Sequence, residues 1–225
     1  MLFARKSRII AAQGLSMTFL TPPFVIAMLT ALTIHECSHG LVAWWLGDPT
    51  ARNEGRLTLN PLAHLDLMGT VMFLFVGFGW AKPVPVDPRY SAHPKRFTTL
   101  TALAGPLSNL LLAITTVLVA KLVIYFHIDA GVANAFFVEL FADMLSLNLG
   151  LMAFNLLPIA PLDGSKILTM FIPARLELQY EDFLSKGPTI LLFLLLGEWI
   201  LNLPILVGWI TIIVHPVLLA LEKLL

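Results

Sequence analysis

Apolar runs of about twenty residues recur along this chain, and they limit its fold more than any other feature. The hydrocarbon core of a bilayer is about 30 Å thick and takes roughly 20 apolar residues per helix. Residues 24–46, 97–126 and 135–157 are long enough to cross. Residues 188–201 and 204–221 form a C-terminal pair split by Asn202-Leu203-Pro204, which fits two short spans, a hairpin or one kinked helix. Residues 70–80 are apolar but too short to cross unaided, so a re-entrant segment or buried loop is expected there. Apolar residues make up 58% of the chain and charged residues 12%. A soluble domain is roughly 45–50% apolar and about 25% charged. A soluble fold of this size cannot hide so much apolar surface. Soluble enzymes, disordered tails and repeat solenoids are thereby excluded. The net charge is zero, which argues against a nucleic-acid partner. A lone cysteine, Cys37, leaves no intramolecular disulfide.

The stretches between the spans are short. Residues 56–60 alternate in period two, which predicts a β-strand. Residues 81–96 hold Pro83, Pro85, Pro88 and Pro94, which forbid a helix. Lys and Arg concentrate in 81–96 and 163–187 and are missing from 127–134, which puts the first two on the cytoplasmic side and the third outside. Arg5, Lys6 and Arg8 precede a short apolar run without a small-residue cleavage site, so the N-terminus reads as retained and interfacial. Its charges also ask to be inside. That conflicts with one crossing at 24–46 unless 70–80 crosses, another crossing precedes, or these charges break the rule.

His35-Glu36-Cys37-Ser38-His39 has the form H-E-x-x-H. On a helix the two histidines fall one turn apart on one face, a spacing that lets both imidazoles hold one zinc ion. The glutamate beside them can act as a general base toward water. With six His in 225 residues, chance supplies only about 0.005 such matches. His35 lies roughly 16 Å into the 24–46 helix at 1.5 Å per residue, near the bilayer centre. Ionisable groups at that depth are functional candidates by default. The structural alternative is a polar cluster that glues helices together. A hydrolytic zinc site wants three protein ligands and one open position. Asp163, after the helix-breaking Pro158 and Pro161, is the best third ligand, and with Glu36 it balances the charge of Zn²⁺.

These residues resemble the site-2 protease family of intramembrane zinc metalloproteases. The resemblance rests on His35-Glu36-x-x-His39-Gly40 and Asn155-x-x-Pro158-x-x-x-Leu162-Asp163-Gly164, with Gly55-Arg56-Leu57-Thr58-Leu59-Asn60-Pro61 followed by His64, and Ala104-Gly105-Pro106-Leu107-Ser108-Asn109, between them. It covers residues 22–170. It implies that His35, His39 and Asp163 bind one Zn²⁺ per chain, that Glu36 is the base, and that Asn155 donates hydrogen bonds near the scissile carbonyl. It implies a transmembrane helix of another protein as substrate. Leu67 stands where the family has proline. Family members often add a PDZ or CBS domain, and a minimal member without either is expected. An unwound substrate could be captured by edge addition to Arg56, Leu57, Thr58, Leu59 and Asn60.

The expected protein is an all-α, multi-pass integral protein of a prokaryotic cell membrane. It has five to six apolar segments, with a short re-entrant or β-strand region between the first two full spans. Residues 1–225 form one metalloprotease domain, with a core of 22–170 and a C-terminal pair at 188–221. The other readings are a metal-ion transporter, which needs a second set of intramembrane ligands, and a non-catalytic pseudo-protease that binds membrane proteins. Of the remaining polar residues, His64 and Asp66 suggest a capped loop or support for the metal site. Gly105, Pro106 and Asn109 suggest close helix packing or a polar lining. Ser38 and Cys37 read as packing, and Glu198 and His215 have no evident partner in sequence.

Overall fold

The computed structural model describes residues 20–76, 79–126 and 133–223. The basic N-terminus and most of the 127–134 loop lie outside the described residues. The helices are α1 (Pro22–Trp45), α2 (Thr50–Asn53), α3 (Leu67–Val76), α4 (Pro94–Tyr125), α5 (Ala133–Asn155), α6 (Asp163–Leu168), α7 (Glu177–Leu201) and α8 (Ile205–Glu222). Five of them, α1, α4, α5, α7 and α8, are long and apolar enough to cross a membrane. The protein is an all-α polytopic membrane protein.

Helix α1 begins where Thr21 accepts a hydrogen bond from the Phe24 amide, with Pro22 and Pro23 in the first turn, where a missing N–H costs nothing. Helices α1, α4 and α5 pack on one another. Small buried residues, among them Ala27, Ala31, Ala102 and Ala113, let their backbones approach. A second layer joins α4 and α5 to α8 through Val117, Leu149, Met152 and Leu221. On α4, Leu107, Leu111, Leu118 and Leu122 point outward. Such a stripe is a liability in water and the expected surface toward lipid tails.

Two apolar segments settle alternatives that their sequence pattern leaves open. Leu65 and Ala81 form an antiparallel bridge, and the Lys82 amide donates to the His64 carbonyl at 2.9 Å. The ends of 66–80 therefore meet, so this segment enters and leaves at one end of the bundle and does not cross. Asp66 starts it by accepting from the Gly69 amide at 2.7 Å, and the capped loop expected at His64 and Asp66 is present. Helix α7 begins at Glu177, eleven residues before the apolar run, because Glu177–Lys186 are good helix formers. It ends at Asn202, whose left-handed φ of 52° turns the chain into α8. The C-terminal pair is thus two helices joined by a tight turn. Glu198 does have a partner: its carboxylate accepts from the Leu206 and Val207 amides at 2.8 and 3.0 Å, capping α8.

The ends of the bundle are fixed by polar links. Thr21 donates to Glu139 near the start of α5 at 3.0 Å. At the opposite end, Asp48 accepts from the Asp87 amide at 2.7 Å, and Lys95 pairs with Glu177. The lysine- and arginine-rich stretches before α4 and α7 therefore share one end, as their charge pattern predicts.

One expected element is absent. Residues 56–60 form no strand ladder among the described residues. Arg56 donates from Nη2 to the Lys82 carbonyl at 2.7 Å, the Thr58 carbonyl accepts from His64 Nε2 at 2.8 Å, and Asn60 caps the turn Pro61–Ala63. Side chains therefore take up the polar groups that a neighbouring strand would have engaged.

Candidate metal centre

His35 and His39 project from the middle of α1 toward α4. Each ring nitrogen Nδ1 has a fixed partner there: Asn109 Oδ1 at 2.6 Å for His35 and the Thr101 carbonyl at 2.7 Å for His39. A carbonyl oxygen accepts only, so both rings carry a proton on Nδ1, and each ring when neutral aims an Nε2 lone pair away from α4. Both lone pairs point at one atom. Asp163 Oδ2 lies 3.2 Å from His35 Nε2 and 3.3 Å from His39 Nε2. The three ligand atoms lie within 4.8 Å of one another, and no other such His, Cys, Asp or Glu cluster occurs among the described residues.

Asp163 is carried there by a broken helix. Pro158 and Pro161 end α5 and start a tight turn, and Asp163 opens α6. Gly164 makes the turn possible, since a Cβ there would sit 2.3 and 2.4 Å from the Leu156 and Leu157 carbonyl oxygens. Asp163 is 4% exposed, and its Oδ2 has no hydrogen-bond partner. A buried, unpaired carboxylate oxygen facing two imidazole lone pairs is costly by itself, and a shared cation removes the cost. Two neutral imidazoles and one carboxylate are the donor set of an open tetrahedral zinc site. The residues fit the metal. Asp163 Oδ1 faces Lys166 Nζ at 3.6 Å, which turns Oδ2 toward the histidines.

The cluster opens into a cavity of about 370 Å³. Glu36 and Asn155 line it with the three candidate ligands. Glu36 Oε2 accepts from the Val84 amide at 3.1 Å, and Asn155 donates to Leu151, its own helix neighbour, at 3.0 Å. All five residues expected at the metal and its chemistry thus meet in one place. The five expected to capture substrate, Arg56 to Asn60, do not line this cavity. The wall is formed instead by the return of the re-entrant segment, including Trp80, Pro83, Val84 and Val86. Its signal was present in the prolines, which keep the chain extended, but nothing in the sequence tied it to the histidines. Gly105 provides the close helix packing, and Asn109, which does not line the cavity, lies behind His35. A Cβ on Gly105 would lie 2.5 Å from His35 Cε1 and 2.6 Å from His39 Cε1, and Asn109 holds His35. Asn148, which bonds Asn109 at 2.9 Å, was missed, although an Asn inside an apolar span is itself a signal.

The sequence profile of peptidase family M50 matches residues 120–195, which include Asn155 and Asp163. "Putative zinc metalloprotease YwhC" of Bacillus subtilis is 38% identical over 186 residues, covering 81% of this chain and 85% of that protein. "Putative zinc metalloprotease Rip2" of Mycobacterium tuberculosis is 34% identical over 149 residues, 62% of this chain and 53% of the relative. Its counterpart in Mycolicibacterium smegmatis is 33% identical over 144 residues, with the same coverage. No solved structure matches. A relative four-fifths covered at this identity settles the family, and the chain belongs to peptidase family M50.

Proposed function

We propose that this protein is a zinc-dependent intramembrane endopeptidase that hydrolyses peptide bonds within or beside the transmembrane helices of other membrane proteins. The convergence of two Nε2 lone pairs on a buried, unpartnered Asp163 oxygen carries this reading. His35, His39 and Asp163 hold one zinc ion, and relatives named zinc metalloproteases support that choice. When bound, zinc supplies Lewis acidity that makes water acidic near neutral pH and polarises a carbonyl. Glu36 takes the proton from the attacking water and returns it to the leaving amine. Its link to the Val84 amide keeps the carboxylate at the cavity rather than turned into lipid. Asn155 releases its local bond to Leu151 and donates to the oxygen that gains negative charge.

The substrate segment must leave its helix, because a helical peptide bond is shielded by its own ladder. It then lies against the 80–86 wall. That wall offers few free N–H groups for strand addition. Pro83 and Pro85 lack N–H groups on one edge, and on the other the Lys82 and Val84 amides are already bonded to His64 and Glu36. Contact is therefore through apolar side chains, with 56–60 buttressing the wall from Lys82. Proteoliposomes holding the wild type or Glu36→Gln and a helical membrane substrate test the reading. Cleavage by the wild type alone is expected, and equal cleavage by both refutes it.

A further inference from the structure

Behind His35 lies a chain of buried amides that no catalytic step uses. Asn109 and Asn148 are both fully buried, on α4 and α5. Asn148 Nδ2 donates to the Met144 carbonyl at 2.7 Å, which leaves its Oδ1 facing Asn109. Asn109 Nδ2 donates both to that Oδ1 at 2.9 Å and to the Ala31 carbonyl at 3.2 Å. Its own Oδ1 is thereby directed at His35 Nδ1, 2.6 Å away.

We infer that Asn109 and Asn148 are positioning residues whose amide orientation, set by the backbone carbonyls of Ala31 and Met144, locks His35 in the tautomer that can bind metal. Backbone carbonyls cannot donate, so neither amide can flip without opposing oxygen to oxygen. A flipped Asn109 presents N–H to His35, forces its proton onto Nε2, and blocks the lone pair that faces Asp163. His39 has no such dependence, because its Nδ1 meets the Thr101 carbonyl directly. The tautomer of one ligand is therefore written into the main chain and that of the other into two side chains. Outer partners of ligating histidines typically carry about 10–100-fold in metal affinity.

The inference rests on the zinc reading, so its test includes a control for that reading. Zinc affinity of the full chain in detergent is measured by competition with a chromophoric chelator, and ligand geometry by the visible spectrum of the cobalt form. Asn109→Leu is expected to weaken zinc about 10–100-fold and alter the cobalt spectrum. Asn109→Asp, which keeps an acceptor for His35 and, with its proton on the other oxygen, a donor toward Asn148, is expected to stay within about threefold of wild type. Asn148→Leu should fall between the two. A role in helix packing alone would lower the melting temperature of the metal-free protein in all three variants and leave the spectrum unchanged. Wild-type affinity in Asn109→Leu, with binding lost in His39→Ala, overturns the inference and leaves the zinc site standing. Wild-type affinity in His39→Ala overturns the zinc site itself. If Asn109→Leu does not fold, the other two decide: weaker binding in Asn148→Leu than in Asn109→Asp supports the relay, and equal binding refutes it.

Discussion

Replacing Gly105 with alanine tests whether the site depends on the close approach of α4 to α1. The added Cβ would lie 2.5 Å from His35 Cε1, 2.6 Å from His35 Nε2 and 2.6 Å from His39 Cε1. Carbon contacts settle near 3.5 Å, so both rings must withdraw by about 1 Å, or the helices must part by as much. His35 has little room to withdraw, because Asn109 holds its Nδ1 at 2.6 Å. Metal–ligand distances tolerate only about 0.2 Å. Overpacking costs about 1–3 kcal/mol, whereas alanine gains about 1 kcal/mol over glycine inside a helix. Global stability should therefore change by no more than about 2 kcal/mol while zinc affinity falls by about 10–100-fold, the loss that follows when the supports of ligating histidines are disturbed. Competition titration against a chelator, run beside thermal unfolding, separates the two effects. Gly150→Ala is the control, because a Cβ there meets nothing within 4 Å. Zinc affinity within about threefold of wild type in Gly105→Ala would refute the idea that this glycine makes room for the ligands.

Glu36→Gln should keep wild-type zinc content and fold yet lose about 100–10,000-fold in cleavage rate, measured in proteoliposomes. Asp163→Asn should lose zinc by elemental analysis after dialysis, since a neutral amide offers a weaker ligand and no charge balance. Treatment with a strong chelator should abolish cleavage, and added zinc should restore it in the wild type but not in Asp163→Asn. Glu198→Ala removes the two bonds that cap α8, so its melting temperature should drop by about 2–8 °C, with cleavage at low temperature unchanged.

The chemistry was more legible than the path of the chain. His35, Glu36 and His39 sit on one helix, so their spacing alone gave their geometry. Asp163 could be chosen because two prolines broke a span where charge was needed. Residues 56–60 misled, since a period-two pattern signals extension but not a partner, and His64 and Lys82 supplied side-chain and loop contacts where a strand was expected. The wall at 80–86 was hidden for a related reason. Its place depends on the pairing of Leu65 with Ala81, a long-range contact that local pattern does not encode. Glu198 looked partnerless because its partners are backbone amides across a turn, and amides leave no mark in sequence.

Asp163 belongs to a six-residue helix beyond α5, tethered by the Tyr180 hydroxyl to the Ser165 carbonyl, whereas both histidines belong to α1. During synthesis the first arm of the clamp enters the lipid long before the second has left the ribosome. A growing chain therefore passes through most of its membrane insertion as an inert scaffold. Its hydrolytic power waits for Asp163, when the helices that carry the histidines, Asn109 and Asn148 have already been made.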